Sequence, residues 1–166
     1  MEIITINTNN NSFVIETDKS QFKTIEDFLN YEKNRPSDIN EHLETLKRYT
    51  AECSHVTEMG VRNVVSTWAF LSGNPKKYIG IDINPSPVEM AEKLAKEQGI
   101  DFTFIQADTI HPDFAIEQTD LLFIDTYHVY RQLIKELRMH NDKANKYIIL
   151  HDTTCFGDQD QYEEDY

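Results

Sequence analysis

Residues 55–84 carry the sequence HVTEMGVRNVVSTWAFLSGNPKKYIGIDIN. Its apolar pattern predicts a buried strand at residues 56–59 and a turn at Gly60. A helix to about Leu71 and a second buried strand at residues 78–83 follow. Two strands joined by a helix indicate a parallel pair with a right-handed crossover. The stretch therefore predicts an α/β fold.

Both predicted strands end in acidic residues. Glu58 lies at the end of the first strand, two residues before Gly60, and Asp82 lies at the end of the second. Open α/β sheets bind their ligands at the carboxyl ends of the strands. A glycine there lets a ligand approach the backbone, and an acid can accept hydrogen bonds from ribose hydroxyls. The pattern indicates a nucleoside-bearing cofactor.

The composition restricts the classes of partner. The chain has 166 residues, which suits one domain with a sizeable core, and 39% of them are hydrophobic. Its formal net charge of −13 argues against a nucleic-acid partner, because phosphate binding needs clustered lysine and arginine. The expected partner is a small-molecule substrate.

Location is predicted from the cysteines and the apolar runs. Cys53 and Cys155 form no CxxC pair, which favours free thiols in a reducing compartment. No apolar run reaches the roughly 18–20 residues of a membrane span, and the N-terminus does not resemble a secretory signal. We therefore expect a cytoplasmic protein without a membrane partner.

The N-terminal part precedes the predicted sheet. Apolar and polar residues alternate over residues 1–17 around an Asn-rich turn, which predicts a short β-hairpin. This hairpin has two interpretations, an accessory flap or a contact in a homo-oligomer. A short helix is predicted at residues 24–33, and a longer one at residues 39–53 with Ser37 as its N-cap.

The rest of the chain continues the alternation of strands and helices. Further strands are predicted at residues 101–106, 121–124 and 147–150, and helices at residues 88–98 and 129–139. A short helical segment after His111 is also expected. The continuous apolar run LLFI, which ends at Ile124, is typical of a central parallel strand. Five such strands separated by helices predict a parallel sheet.

Polar residues collect where the predicted strands end. Each strand has an acid, or a pair of polar residues, at or just past its carboxyl end: Glu58, Asp82, Asp108, Asp125 and His151 with Asp152. Each one alone has a structural explanation, since Asp is common in turns and as a helix cap. Five on one edge of a sheet favour a functional cleft.

The segments TEMG, IGIDIN, IQAD, LLFID and YIILHD resemble those of the class I S-adenosylmethionine-dependent methyltransferases. In that family the first glycine-containing turn faces the methionine part of the cofactor, and acids after the next two strands contact the ribose and the adenine. The resemblance assigns the turn to Glu58 and Gly60, the ribose contact to Asp82 and the adenine contact to Asp108.

The resemblance also implies the architecture. We expect a Rossmann-like three-layer α/β/α sandwich with strand order 3-2-1-4-5. The methyltransferase-like domain is expected at residues 37–157, after an accessory segment at residues 1–36 and before an acidic tail at residues 158–166. Similar methyltransferases add two strands, one antiparallel, after the fifth. Because few residues remain after Asp152, we expect this edge to be missing, shortened, or supplied by the hairpin or a second copy.

The first turn departs from the family pattern. Such methyltransferases usually carry a GxGxG-like turn, whereas this chain has GVRNV at residues 60–64. Arg62 stands where a second glycine would allow close approach of the backbone. Three interpretations remain: the loop takes a different path, Arg62 meets an anion such as the cofactor's carboxylate or a substrate phosphate, or Arg62 is a surface residue.

The segments FIDTYHVY and ILHDTTCFG resemble a narrower subgroup, the sugar O-methyltransferases and cephalosporin-hydroxylase-like proteins. Several members use a divalent metal, and the matching positions here are Asp125, His128, His151 and Asp152. The resemblance implies a metal held by Asp125, His151 and Asp152. His151 replaces an acid that is frequent in the subgroup. Mg²⁺ or Mn²⁺ are the expected ions, although a nitrogen ligand suits Mn, Fe or Zn better than Mg.

The expected reaction is metal-assisted O-methylation of a small hydroxylated, sugar-like acceptor. A metal near Asp125 would lower the pKa of a hydroxyl group, and a neutral His128 would be able to take its proton. Two alternatives stay open. One is a non-catalytic module that binds a nucleoside cofactor. The other is a nicotinamide-dependent oxidoreductase, which the absence of a GxGxxG fingerprint weakens.

Overall fold

The computed structural model describes residues 3–6, 13–16 and 19–161. The strands are β1 (Ile3–Ile6), β2 (Phe13–Glu16), β3 (His55–Met59), β4 (Lys77–Asp82), β5 (Asp101–Gln106), β6 (Thr119–Ile124) and β7 (Ala144–Leu150). The α-helices are α1 (Ile25–Asn34), α2 (Leu43–Thr50), α3 (Val65–Ser72), α4 (Glu89–Glu97) and α5 (Tyr130–His140).

Five strands form one parallel sheet in the order β5-β4-β3-β6-β7. Numbered as core strands, this is the predicted order 3-2-1-4-5, which confirms the predicted Rossmann-like architecture. Within residues 19–161 no strand follows β7, so β7 forms one edge of the sheet. The predicted N-terminal hairpin is also found, as an antiparallel pair of β1 and β2. Its Asn-rich turn at residues 9–11 and the end of the acidic tail lie outside the described residues.

The central strands β3, β4 and β6 are buried on both faces, because their side chains alternate between the two faces and helices cover each face. In β6, Leu121 and Phe123 pack among residues of α1 to α4. Leu122 and Ile124 point to the opposite face, where Leu133 of α5 joins them. This two-sided burial explains why the central strands are continuous apolar runs rather than alternating ones.

Helix α3 is apolar on all sides because it is buried on all sides. Residues 66–71 are all buried, and the Trp68 ring stacks on Phe28 of α1 with ring centroids 4.1 Å apart. No helix in the described part of the chain is both long and apolar enough to cross a membrane. Cys53 and Cys155 are free thiols, as predicted.

Two local predictions are wrong. The helix predicted at residues 39–53 starts later, because a 3-10 turn at Asn40–His42 precedes α2. Ser37 is therefore not its N-cap, and the buried Ser37 hydroxyl has no hydrogen-bond partner among the described residues. The tighter turn lets Ile39 pack in the core, where it is 4% exposed. Turns replace the helical segment expected after His111.

Candidate active site at the carboxyl edge of the sheet

Gly60 joins the ends of three neighbouring strands. Its φ is +91°, and a Cβ at this position would overlap the main-chain carbonyl of Asp125 beyond β6. Its N–H donates to the carbonyl of Ile81 in β4 at 2.8 Å. Only glycine suits this position, for two reasons. A residue with a Cβ would be strained at this positive φ, and its Cβ would clash with the backbone of Asp125.

The two residues that replace glycines in the first turn keep a glycine-like backbone. Arg62 has φ +47° and Val64 has φ +64°. A left-handed conformation costs a non-glycine residue roughly 1–2 kcal/mol, and it is rare for a β-branched one. Positive φ thus recurs at alternate positions from Gly60, although two of the three residues are not glycine.

Asp82 holds this turn in place. Its Oδ2 accepts hydrogen bonds from the backbone N–H groups of Val61 and Arg62, at 3.0 and 2.8 Å. Its Oδ1 accepts from the N–H of Asn84 at 2.9 Å. A carboxylate offers about four lone-pair positions, so a hydroxyl ligand can still bind it. Asp82 is therefore a structural anchor of the turn as well as the predicted ribose contact.

The Arg62 side chain points into solvent. It is 77% exposed, and its guanidinium lies 3.8 Å from the carboxylate of Asp38, an exposed residue before α2. An exposed ion pair at this distance contributes little to stability. Arg62 therefore spans the gap between the first turn and the segment before α2.

Glu58 lies beneath the turn rather than at its mouth. The residue is fully buried, and its carboxyl group accepts hydrogen bonds from three hydroxyls, those of Ser66, Thr67 and Tyr78. Burial raises the pKa of Glu58 to about 7, although those hydrogen bonds oppose the shift. The carboxyl group thus has an internal role, which its sequence position did not reveal.

Asp108 follows β5, the neighbour of β4. It is half-buried, and its Oδ1 accepts a hydrogen bond from the N–H of Ile110 at 3.0 Å. The backbone N–H of Ala107 donates to the carbonyl of Asp82 at 2.8 Å, which joins the ends of the two strands. Ile83, next to Asp82, exposes 63% of its surface. Its exposure was not predictable from the sequence, because Ile83 continues the apolar pattern of the strand.

Four potential ligand side chains meet where β6 and β7 end. They are Asp125, His128, His151 and Asp152, and one ligand atom from each lies within 4.8 Å of the others. The pairing of Ile124 with Leu150 explains the convergence, because it sets both strand ends at the same level. The Oδ1 of Asp125 lies 3.0 Å from His128 Nε2 and 3.2 Å from His151 Nδ1.

The orientation of His128 is fixed from the far end of the chain. Its Nδ1 lies 2.9 Å from Gln161 Oε1, which also accepts from the His128 backbone N–H at 3.3 Å. The Gln161 N–H donates to the His128 carbonyl at 2.8 Å. Because an amide oxygen only accepts, Nδ1 carries the proton. The Nε2 of His128 faces the carboxylates of Asp125 and Asp152, at 3.0 and 3.5 Å, so it donates to them when the ring is protonated and offers a lone pair only when the ring is neutral.

The charges in the cluster are mutually stabilised. Burial alone would raise the pKa of Asp125, but hydrogen bonds from His128 and His151 bring it below its usual value. Burial would lower the pKa of both imidazoles, but the neighbouring carboxylates raise it. The cluster therefore favours ionised carboxylates with positive charge beside them.

Aromatic rings enclose the cluster. Phe156 stacks on the His128 ring at 5.0 Å between centroids, and His42 meets the His151 ring edge-on at 5.8 Å. No sequence signal pointed to Gln161 or Phe156, since both lie in the polar C-terminal segment.

A cavity of about 650 Å³ opens beside the cluster. His128, His151 and Asp152 form one wall, and residues 156–160 and the start of α5 form others. None of the five predicted cofactor residues lines it: Glu58, Gly60, Arg62, Asp82 or Asp108. The sheet edge thus has two separate regions, the first turn and this cavity.

Residues 58–138 match the family model described as "Methyltransferase domain". No curated protein sequence matches the chain. The matched region runs from Glu58 at the end of β3 to the last turn of α5, so it includes the first turn and two members of the cluster.

Solved methyltransferases share the fold. The N-methyltransferase NodS from Bradyrhizobium japonicum WM9, in complex with S-adenosyl-L-homocysteine, superposes with a TM-score of 0.53 at 15% identity, over 86% of this chain and 82% of that one. The O-methyltransferase TomG from Streptomyces achromogenes, in complex with S-adenosylmethionine, has a TM-score of 0.53 at 13% identity, over 84% and 71%. The chain spans 60% of the Podospora anserina methyltransferase PaMTH1, at 16% identity, 76% coverage of this chain and a TM-score of 0.51.

At these identities the structures show the fold and not the acceptor. The family model adds the sequence match across the first turn, and the sheet has the predicted strand order. Together they show that residues 58–138 match a methyltransferase domain and that the chain has the fold of the class I S-adenosylmethionine-dependent methyltransferases.

Proposed function

We propose that the domain transfers a methyl group from S-adenosylmethionine to a hydroxyl oxygen of a small, sugar-like acceptor, with the help of a divalent cation. The observation that carries the proposal is the cluster of Asp125, His128, His151 and Asp152 beside a cavity. A base and cation ligands next to an open space are what deprotonation of an alcohol requires.

The cofactor would bind across the first turn. Gly60 would face its methionine part, Asp82 its ribose hydroxyls and Asp108 its adenine. Ile83 supports this arrangement, because an exposed apolar side chain beside Asp82 can cover one face of a base. Arg62 belongs to this turn. If its guanidinium left Asp38, it would be able to reach the cofactor's carboxylate.

The donor set fits a divalent cation. Asp125, His151 and Asp152 would hold it, and their two carboxylates and one imidazole are ligands that Mn²⁺ accepts more readily than Mg²⁺ does. Such a cation would act as a Lewis acid and lower the pKa of the acceptor's hydroxyl group. The close approach of two partly buried carboxylates supports this assignment, since a cation between them would offset their mutual repulsion.

His128 would serve as the base. Its Nδ1 proton is committed to Gln161, so the nitrogen free to take a proton is Nε2, which faces the cluster and the cavity. In the reaction, an oxygen–carbon bond forms as the carbon–sulfur bond of the sulfonium breaks. The acceptor's proton goes to His128 Nε2, and S-adenosylhomocysteine leaves without charge.

Calorimetric titration and transfer of a labelled methyl group test the proposal. S-adenosylmethionine and S-adenosylhomocysteine should bind the wild type. Asp82→Asn should weaken binding about tenfold or more, because a charged acceptor is lost. Labelled methyl transfer to hydroxylated acceptors should need Mn²⁺ or Mg²⁺ and should fall at least a hundredfold in His128→Asn but not in the exposed control His111→Asn. Binding of neither ligand by folded protein would refute the proposal.

A further inference from the structure

The cavity beside His128 has a distinct chemical character. Its volume of about 650 Å³ lies within the range of small-molecule sites. It touches the proposed base and excludes the predicted cofactor residues, so under the proposed function it is the space left for the methyl acceptor. The chemistry of its lining residues therefore indicates the class of acceptor.

The charged lining is acidic. Four carboxylate residues line the cavity, Glu136, Asp152, Asp158 and Asp160, and among the described residues no lysine or arginine does so. These groups would repel an anionic acceptor, and the two lining imidazoles, His128 and His151, already face the carboxylates of the cluster. Arg62, the predicted anion contact, is not part of this lining.

Most of these carboxylates already have partners. Glu136 is fully buried and accepts hydrogen bonds from three side chains, those of Thr109, Thr126 and Gln132. Asp152 belongs to the cluster.

Two acids at the rim remain. Asp160 caps α5, because its Oδ1 accepts from the Tyr130 N–H at 2.6 Å. Asp158 is exposed and has no hydrogen bond or ion pair with another described residue. Asp158 is thus the carboxylate free to meet a ligand.

Aromatic faces accompany the acids. Tyr130, which is 72% exposed, and Phe156 line the same cavity. An aromatic face attracts an organic cation through the quadrupole of the ring, and a nearby carboxylate adds to that attraction. The combination of aromatic rings and acids, without a lysine or arginine among the described lining residues, suits a positively charged ligand.

We infer that the methyl acceptor is a hydroxylated amine, with its ammonium group held near Asp158 and the rings and its hydroxyl directed to His128. The inference rests on the proposed function and narrows its acceptor from any small hydroxylated molecule to a cationic one. The acids of the same lining disfavour acceptors that carry phosphate or carboxylate groups.

Ligand-observed NMR with three hexoses of similar size tests the inference. Glucosamine is cationic, glucose is neutral and glucuronate is anionic, and each is titrated into protein saturated with S-adenosylhomocysteine and Mg²⁺. Glucosamine should bind at least about threefold more tightly than glucose, and glucuronate more weakly than either. Asp158→Asn should remove the preference for glucosamine without changing glucose binding, whereas Asp113→Asn, an exposed residue outside the cavity, should leave both unchanged.

The outcomes separate the inference from the proposed function. Equal affinities, tighter binding of glucuronate, no binding of glucosamine, or an undiminished preference in Asp158→Asn would each overturn the inference. S-adenosylhomocysteine binding and labelled methyl transfer are measured on the same samples. If these succeed while the charge preference is absent, the methyltransferase proposal stands and only the cationic acceptor is refuted.

Discussion

Glu58 and Asp125 end neighbouring strands, and their carboxyl groups differ in ionisation although both are shielded from water. Glu58, in β3, is surrounded by hydroxyl donors and has a pKa raised to about 7. Asp125, just after β6, meets two imidazoles, and its pKa lies below the usual value. The difference follows from the partners, because a hydroxyl can serve a neutral carboxyl group, whereas an imidazole that becomes charged favours the carboxylate.

The comparison separates two kinds of site. The first turn is organised by backbone geometry, and its side chains are satisfied within the protein. The β6–β7 end is organised by side chains that face one another around a point where a cation would fit. A change at Gly60 or Glu58 should act mainly on folding, and a change at the β6–β7 end mainly on what the protein binds.

Gly60→Ala should have the largest effect, since Gly60 connects both regions. The new Cβ would collide with the Asp125 carbonyl at a φ that disfavours side chains. We expect a loss of at least about 4 kcal/mol in the free energy of unfolding, measured by urea denaturation. Gly99→Ala is the matched control, because Gly99 has φ +77° but no atom near the added Cβ, and it should cost about 1 kcal/mol. Equal costs would show that the contact with Asp125 is not tight.

Glu58→Gln should change how stability depends on pH. Because the folded pKa of about 7 exceeds the ordinary 4.5, the folded state retains a proton that the unfolded state releases. This stabilisation is complete below pH 4.5 and is lost as pH rises through 7, at a cost of about 3 kcal/mol. Wild type should therefore lose about that much relative to Glu58→Gln between pH 4.5 and pH 8, as urea denaturation at both pH values would show. Parallel pH profiles for the two proteins would mean that Glu58 is ionised throughout.

A divalent cation should stabilise the β6–β7 end. At a concentration one hundred times its Kd, Mn²⁺ should add about 2.7 kcal/mol and raise Tm above that in chelator. The double variant Asp125→Asn/Asp152→Asn should lose the response because both carboxylate ligands are gone, while Asp113→Asn should keep it. Wild type that melts at one temperature with chelator, Mg²⁺ and Mn²⁺ would exclude a metal role for these acids.

The fold was predictable because the central strands β3, β4 and β6 are buried on both faces. Runs such as LLFI and YIGI have no interpretation other than central strands once helices separate them, and β5 was predicted at its observed bounds. The start of α2 was not predictable, since the competition between a 3-10 turn and an α-helix at Asn40–His42 depends on the packing of Ile39. Propensity at Ser37 alone cannot decide it.

The candidate site was predictable only as far as the strand ends. Parallel register brings Asp125, His151 and Asp152 together, so their proximity follows from topology. The contact of Gln161 with His128 depends on the path of a segment without periodicity, and no pattern encodes it. The burial of Glu58 was not predicted. Glu58 belongs to β3 and not to the loop that follows it, and its side chain faces helix α3.

Arg62→Gly should give the smallest effect and test the strain in the first turn. Arg62 adopts φ +47° with a side chain that is 77% exposed, so glycine removes the dihedral cost and loses little packing. The difference in the free energy of unfolding between Arg62→Gly and wild type contains two further effects. Glycine has more freedom in the unfolded chain, and the variant loses the Asp38 contact. Arg62→Ala is the sharper reference, because it also loses the Asp38 contact but keeps a Cβ at positive φ. Arg62→Gly should be more stable than Arg62→Ala by about 1 kcal/mol in urea denaturation. If alanine proves equal or better, the turn does not hold a left-handed conformation at residue 62, and Asp82 must bind its N–H groups in another geometry.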